Sequence, residues 1–204
     1  MKHRSTEDPG FDPATMQRLE AFAALLLRWN PRINLIARAD EPVLWERHIL
    51  DAVQLAPLLP APAEDLIDLG SGAGFPGLIL ALVTDWTVHL VEADQRKSSF
   101  LREAVRITRA SAVVHATRAE AVSLPPCAVV TARAVAPLSR LLALAAPLLR
   151  PSGLCLFPKG RTVEDELTAA SHEWHMHVER FPSRTSSTAT LLRLREIRRV
   201  PPIG

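Results

Sequence analysis

Hydrophobic residues recur along this chain with two different spacings, and the spacing changes near residue 62. In the first part, apolar residues three and four positions apart form one face of a helix that begins at Asp12-Pro13 and ends near Asn30-Pro31. Aspartate followed by proline is a typical helix start, because the carboxylate accepts free backbone N–H groups and proline fits the first turn. A second helix is predicted from Glu41-Pro42 to Pro57. Residues 1–62 are therefore predicted to form an N-terminal helical extension.

Beyond residue 62, short apolar runs alternate with amphipathic ones, which is typical of strands that alternate with helices. The predicted strands are Asp65 to Leu69, Thr87 to Glu92, Ala112 to Ala116, Ala128 to Ala132 and Gly153 to Pro158. The predicted helices are Phe75 to Thr84, Gln95 to Thr108, a short one near Ala119, Leu138 to Leu149 and Val163 to His172. The last two runs, Trp174 to Phe181 and Thr190 to Ile197, have no helix between them and predict a hairpin. Residues 63–204 thus predict an α/β fold with a mostly parallel, seven-stranded, Rossmann-like sheet, the outline of a class I methyltransferase core that forms one domain with the extension.

Composition narrows the class of protein further. The 204 residues carry a net charge of only +2 and are 48% hydrophobic, which is a globular composition. The charged start, Met1 to Gly10, and the lack of an apolar run near the roughly 20 residues that span a bilayer predict a cytoplasmic protein with no membrane partner. Cys127 and Cys155 are interpreted as buried and reduced, and no metal site is expected. Arginines at helical spacing, Arg102, Arg106 and Arg109, leave contact with nucleic acid open.

A glycine-rich stretch follows the first predicted strand. This glycine turn, Gly70-Ser-Gly-Ala-Gly74, has Asp68 before it and Glu92 at the end of the next strand, 22 residues after Gly70. Such a turn, with an acid at the end of the second strand for a ribose diol, is typical of a site for an adenosine-containing cofactor. The close spacing of Gly70, Gly72 and Gly74 differs from a dinucleotide fingerprint, and Asp68 would repel a pyrophosphate. The pattern favours S-adenosyl-L-methionine, whose sulfonium is cationic.

The loop after the fourth predicted strand bears on the methyl acceptor. Methylation of an exocyclic amine commonly uses an Asn/Asp-Pro-Pro-aromatic motif there, whereas this chain has Arg133-Ala-Val-Ala-Pro137. Cys127 begins its strand at the opposite edge of the sheet, so it is not expected to be a nucleophile. Guanine N7 has a free lone pair and loses no proton, so its methylation requires positioning more than acid-base chemistry. Arg133 is a candidate to anchor either the carboxylate of the cofactor or an oxygen of the base.

The chain resembles the bacterial small-subunit ribosomal RNA guanine-N7 methyltransferases, also called the glucose-inhibited division protein B family. The resemblance covers nearly the whole chain and is carried by Arg28-Trp-Asn30, Asn34-Leu35, Arg47-His-Ile-Leu-Asp51, Asp68 to Gly77, Arg133-Ala134 and Lys159-Gly160. It implies S-adenosylmethionine as the donor and N7 of a single guanine in 16S rRNA as the acceptor. The partner would be 16S rRNA, the small ribosomal subunit or an assembly intermediate.

The resemblance also implies site residues. Those implied for the cofactor are Gly70, Phe75, Ala119, Glu120 and Arg133. Those implied for RNA contact or for shaping the guanine pocket are Asn34, His48, Asp51, Lys97 and Lys159. His48 and Asp51 have an alternative interpretation, in which they tie their helix to the sheet. Two rival functions stay open: a small-molecule methyltransferase of the same fold, and a non-catalytic RNA-binding protein.

Overall fold

The computed structural model describes residues 10–201 and contains a seven-stranded sheet in the order β3-β2-β1-β4-β5-β7-β6. Strands β1 to β5 are parallel to one another, and β7 runs antiparallel between β5 and β6. The strands are β1 Asp65–Leu69, β2 Thr87–Val91, β3 Ala112–His115, β4 Cys127–Ala132, β5 Leu149–Lys159, β6 Trp174–Pro182 and β7 Thr190–Arg199. This confirms the predicted fold class, with its parallel sheet and final hairpin.

The α-helices lie between these strands and before them. They are α1 Pro13–Ile33, α2 Asp51–Val53, α3 Gly77–Val83, α4 Gln95–Thr108, α5 Leu138–Ala145 and α6 Val163–Ser171. Short 3₁₀ turns follow at Ala119–Ala121 and Ala146–Leu148. As predicted, Asp12 caps α1: its Oδ1 accepts the backbone N–H groups of Ala14 and Thr15 at 2.9 and 3.0 Å.

The strand order reverses between β1 and β4, and this reversal determines where a ligand can lie. Leu69 at the end of β1 pairs with Ala132 at the end of β4. The loops that begin at Gly70 and at Arg133 therefore leave the sheet side by side. In sheets of this type, ligands bind beyond the carboxyl ends of the strands at such a reversal.

The segment between α1 and β1 differs from the single helix predicted there. It consists of a 3₁₀ turn at Arg38–Val43, a wide helical turn at Trp45–Leu50, α2, and a second 3₁₀ turn at Ala56–Leu58. The predicted start at Glu41-Pro42 is wrong, because this pair lies inside the first 3₁₀ turn. Wide turns of the π type are frequent at functional sites, and this one contains His48.

Two apolar clusters cover the two faces of the sheet. In β1, Leu66 belongs to the cluster shared with α1, α3 and α4, and the next residue, Ile67, belongs to the cluster shared with α5 and α6. Phe22 of α1 meets Phe75 edge to face, with ring centroids 5.5 Å apart, so the helical extension packs on the sheet core. The predicted boundary at residue 62 stays a prediction.

Two further predictions concern cysteines and membranes. Cys127 and Cys155 are free and buried in the cluster under α5 and α6, as predicted. Among residues 10–201, no helix is both long enough and apolar enough to cross a membrane. The charged stretch of residues 1–9, used above in predicting the location of the protein, lies outside the described residues.

Candidate active site

The glycine turn is built around backbone conformations that favour glycine. Gly70, Gly72 and Gly74 have φ angles of +65°, +55° and +95°. Glu92 supports the turn, because its Oε2 accepts the N–H of Gly72 at 2.8 Å while its Oε1 accepts the N–H of Asp94 at 2.7 Å. Glu92 therefore joins the end of β2 to the turn after β1, in addition to its predicted role toward a ribose.

A cavity of ≈ 210 Å³ opens beside this turn, here called the glycine-turn cavity. It is lined by Gly70, Val91, Glu92, Ala93, Thr117, Arg118, Ala119, Glu120, Val135, Ala136, Arg140 and Leu144. Four predicted cofactor residues, Gly70, Glu92, Ala119 and Glu120, thus meet in one place. Oε1 of Glu120 accepts from Arg140 at 3.0 Å, so one oxygen of this carboxylate already has a partner.

Asp68 lies under the turn and is completely buried. Its Oδ2 accepts the N–H of Gly77 at 3.2 Å, and a Cβ at Gly77 would come within 2.6 Å of that oxygen. The other oxygen, Oδ1, has no hydrogen-bond partner within residues 10–201. Burial raises the pKa of the Asp68 carboxyl to about 7. A buried carboxylate with an unsatisfied oxygen gains from a cationic ligand nearby, which fits a sulfonium-containing cofactor.

Arg133 stands at the centre of a polar cluster beyond β4. Its Nη1 donates to Oδ2 of Asp51 at 3.3 Å, and its Nη2 lies 2.9 Å from Nδ1 of His48. The guanidinium also lies 5.0 Å from the ring centroid of Phe75, on which the His48 ring is stacked. The Nε2 atom of His48 lies 3.2 Å from Oδ2 of Asp40. Burial, and then the charge of Arg133, lower the pKa of His48, so this histidine is neutral at neutral pH.

A second cavity, of ≈ 480 Å³, lies on the other side of the Arg133 loop and is called the Arg133 cavity. It is lined by Asp51, Arg133, Ala134, Val135, Ala136, Pro137, Pro158, Lys159, Gly160, Glu166 and Ala189. Val135 and Ala136 line both cavities. The loop after β4 therefore forms a wall shared by the two cavities, which adjoin at these residues.

Lys159 and Glu166 hold this wall in place. The Lys159 ammonium donates to Oε2 of Glu166 at 2.7 Å and to the carbonyl of Ala136 at 3.2 Å. The same Glu166 oxygen accepts the N–H of Leu138 at 2.9 Å. The pair thus contacts the backbone on both sides of Pro137, and the predicted RNA residue Lys159 has a structural role as well.

The loop of the final hairpin, residues 183–189, reaches back to the extension. Thr185 donates its hydroxyl to Oδ1 of Asp51 at 2.7 Å, and Gln54 donates to Ser183 at 3.1 Å and accepts the N–H of Arg184 at 2.8 Å. Asp51 therefore binds Arg133 with one oxygen and the hairpin loop with the other. This arrangement supports the interpretation that Asp51 ties its helix to the sheet.

Several predicted residues lie outside both cavities. Phe75 is buried beneath Arg133 and His48. Asp68, Gly72 and Gly74 form the glycine turn and its support. Asn34 ends α1 with φ +48°, and the backbone N–H of Lys97 is capped by Asp94 in the first turn of α4. Neither Asn34 nor Lys97 is among the cavity-lining residues.

Sequence reasoning missed Asp40, Gln54 and Glu166. Asp40 contacts His48 8 residues further on, Gln54 contacts Ser183 129 residues further on, and Glu166 accepts the N–H of Leu138 28 residues before it, so no single local pattern points to all three. Within residues 10–201, no group of three or more histidine, cysteine, aspartate or glutamate side chains is arranged to hold a metal ion.

Comparison with known proteins shows the family. The family described as rRNA small subunit methyltransferase G matches residues 15–191. The chain belongs to this family. Relatives named ribosomal RNA small subunit methyltransferase G include one from Rhodospirillum centenum, 57% identical over 92% of this chain and 87% of that protein. Another, from Rhodospirillum rubrum, is 54% identical over 91% of this chain and 92% of that protein.

Solved structures of other proteins share the fold of this chain. M. jannaschii TYW2 in complex with AdoMet matches with a TM-score of 0.54 at 13% identity, over 75% of this chain and 76% of that one. A chain of a fibrillarin/Nop5p complex matches with a TM-score of 0.58 at 13% identity, over 74% and 81%. These structures confirm the predicted class I methyltransferase fold. Membership of the family confirms the predicted methyltransferase activity, with S-adenosylmethionine as the donor.

Proposed function

We propose that this chain transfers a methyl group from S-adenosylmethionine to N7 of a single guanine in 16S rRNA. The family name, with its small-subunit rRNA, supports the substrate class. The choice of N7 as the acceptor rests on how the titratable side chains of the Arg133 cavity are paired. Its titratable side chains are all engaged with one another: Arg133 with Asp51, and Lys159 with Glu166. A cavity whose acids and bases are already paired suits an acceptor that loses no proton.

The glycine-turn cavity is the proposed donor site. Gly70 and the backbone of Ala119 and Glu120 would contact the cofactor, and Glu92 would accept from its ribose hydroxyls. Asp68 would favour its positive charge from below the turn. When bound there, S-adenosylmethionine supplies a methyl group on a cationic sulfur, which a free lone pair attacks directly.

The Arg133 cavity is the proposed acceptor site. A guanidinium donates well to O6 of guanine, and Arg133 would then orient the base while its neighbouring N7 stays free. A base in a helix or a stacked loop cannot enter such a cavity, so the target guanosine must be unstacked. Lys159 and the loop residues 183–189 at the same cavity would face the RNA. The proposed partner is 16S rRNA, free or within a small subunit or assembly intermediate in the cytoplasm.

Nucleoside analysis tests this function. The full chain is incubated with methyl-labelled S-adenosylmethionine and, in parallel, with purified 16S rRNA, small subunits or a pool of cell metabolites. We expect labelled 7-methylguanosine in the rRNA digest. Label confined to metabolites would favour a small-molecule methyltransferase, and donor binding without any labelled product would favour a non-catalytic RNA-binding protein. Either result contradicts the proposal.

A further inference from the structure

The contact between Arg133 and His48 shows which nitrogen of the histidine carries its proton. An arginine side chain has only hydrogen-bond donors, so Nδ1 of His48 can meet Nη2 of Arg133 at 2.9 Å only as a lone-pair acceptor. The single proton of the neutral ring is then on Nε2, which donates to Oδ2 of Asp40 at 3.2 Å. The three side chains form one directed chain, in which Asp40 accepts from His48 and His48 accepts from Arg133.

The surroundings of His48 support the neutral ring. Its side chain is 11% exposed, and its face is stacked on Phe75 with ring centroids 5.1 Å apart. Three charged groups face it: Asp40 from the 3₁₀ turn, Arg47 from its own turn, and Arg133 from the loop after β4. Burial, and then the charge of Arg133, disfavour a second proton on the ring and Asp40 favours one, while the charge of the exposed Arg47 has the weakest effect.

This chain of hydrogen bonds also fixes the plane of the Arg133 guanidinium. Asp51 binds Nη1 of Arg133, and His48 binds Nη2. Two partners on different nitrogens hold the guanidinium in one orientation beside the cavity, whereas one partner leaves it free to rotate about that contact. If His48 carried its proton on Nδ1, this atom would become a donor that faces another donor, and the contact with Arg133 would be lost.

We propose that Asp40 is a positioning residue for methyl transfer, which keeps the proton of His48 on Nε2 and thereby leaves Nδ1 free to orient Arg133. This inference rests on the proposed function, in which Arg133 contacts the base. Asp40 lines neither cavity, and the hydrogen bonds that link it to Arg133 run through His48. A carboxylate that fixes the tautomer of a histidine has the same role in serine proteases, where an Asn replacement stabilises the wrong tautomer.

The tautomer is measured directly by nitrogen NMR of the full chain labelled in the histidine rings, with His48 assigned by its absence from the His48→Gln variant. We expect an unprotonated Nδ1 and a protonated Nε2 at slightly alkaline pH. In Asp40→Asn, the amide can turn its NH₂ group toward Nε2, so we expect the proton to move to Nδ1. A wild-type ring with its proton on Nδ1, or an Asp40→Asn ring that keeps Nδ1 free, overturns the proposal.

Kinetics test the consequence. Asp40→Asn should lower kcat at least tenfold, about 1.4 kcal/mol, while the Kd of S-adenosylmethionine is unchanged. Arg47→Gln is the matched control: Arg47 also contacts Asp40, at 3.0 Å, but is mostly exposed, and this variant should keep the wild-type rate. An unchanged kcat in Asp40→Asn overturns the proposal.

Two variants of His48 separate positioning from packing. His48→Gln keeps an acceptor for Arg133 and a donor for Asp40, so it should retain much of the rate and lose the acidic limb that protonation of His48 adds to the pH profile. His48→Phe keeps the stacking on Phe75 but neither hydrogen bond, and should be as slow as Asp40→Asn. Equal rates in the two His48 variants overturn the proposal. If the wild-type chain makes no 7-methylguanosine, the proposed function fails, while the NMR measurement still decides whether Asp40 fixes the tautomer.

Discussion

The side chain of Val135 lies directly against Gly70: a Cβ atom at Gly70 would come within 2.6 Å of Cγ2 of Val135. The turn after β1 and the loop after β4 therefore touch where the two cavities adjoin. Since Val135 lines both cavities, any side chain at position 70 would push this wall away from the turn. The width of the proposed donor site thus depends on the absence of a Cβ atom at Gly70.

Gly70→Ala should weaken donor binding and destabilise the protein. The φ of +65° at Gly70 disfavours alanine by about 1 to 2 kcal/mol, and the clash with Val135 adds to this cost. We expect a Kd for S-adenosylmethionine at least tenfold higher by calorimetry, and a Tm lower by roughly 2 to 8 °C. Gly160→Ala is the control for both measurements, because a Cβ there meets nothing within 4 Å. A Gly70→Ala protein that matches this control would contradict the proposed donor site.

Arg133→Ala should lower methyl transfer to rRNA at least tenfold, because Arg133 is proposed to orient the base. Arg133→Lys should recover little of the rate: an ammonium keeps the charge but cannot hold Asp51 and His48 on two nitrogens of one plane. Labelled methyl transfer gives the rates, and circular dichroism checks that both variants are folded. A wild-type rate in the folded Arg133→Ala protein would remove Arg133 from the site.

Asp68 should make the stability of the ligand-free protein depend on pH. Burial raises the pKa of its carboxyl to about 7, so the folded state holds the proton more tightly than the unfolded chain. This contribution to stability is present below about pH 4 and is lost as the pH rises through about 7, by a few kcal/mol. In thermal melts, the Tm difference between Asp68→Asn and wild type should therefore rise across this interval. A constant difference would show that Asp68 ionises normally.

Donor binding should depend on Asp68 in the opposite direction. A cationic cofactor favours the carboxylate, so the affinity of the wild-type protein for S-adenosylmethionine should increase as the pH rises through about 7. Asp68→Asn should bind more weakly at high pH and with little pH dependence. Calorimetry in two buffers with different ionisation enthalpies should also show a proton released on binding near neutral pH by the wild type alone.

Two exposed arginines, in segments that border the Arg133 cavity, should contribute to RNA affinity. Arg161 follows the lining residue Gly160, and Arg184 lies in the hairpin loop; neither has an ion pair within residues 10–201. Replacing either by Gln should reduce the slope of log affinity against log salt by about 0.7 to 0.9. Arg180→Gln changes the net charge equally, but Arg180 is already paired with Glu164, so its slope should stay near wild type. Equal slopes in all three variants would exclude this edge from RNA contact.

The sequence predicts the elements of the fold correctly where local signals agree. The bounds of β1 and α4 were predicted without error, because an apolar run defines the strand and Asp94 caps the helix. Gly70 and Glu92 could be brought together because strand order places the ends of neighbouring parallel strands at one edge, whereas Ala119 and Glu120 followed from the family resemblance.

The remaining features depend on contacts between distant parts of the chain. The predicted helix after Glu41 failed because Asn30 fixes the chain there: its side chain accepts the N–H groups of Leu35 and Ile36 and donates to Glu41. The partners of Arg133 lie 82 and 85 residues before it. A periodic pattern carries no information on such pairs.

The hairpin loop that contacts Asp51 and Gln54 also determines which of the two cavities is completed last during protein synthesis. The glycine-turn cavity uses residues 70–144, but the Arg133 cavity needs Ala189, and Asp51 and Gln54 contact residues 183–185. All residues that line the proposed donor site are therefore synthesised before the last strand. The lining of the proposed acceptor site is complete only once Ala189 has been added, so in the growing chain the residues for the methyl donor precede the last of those for RNA.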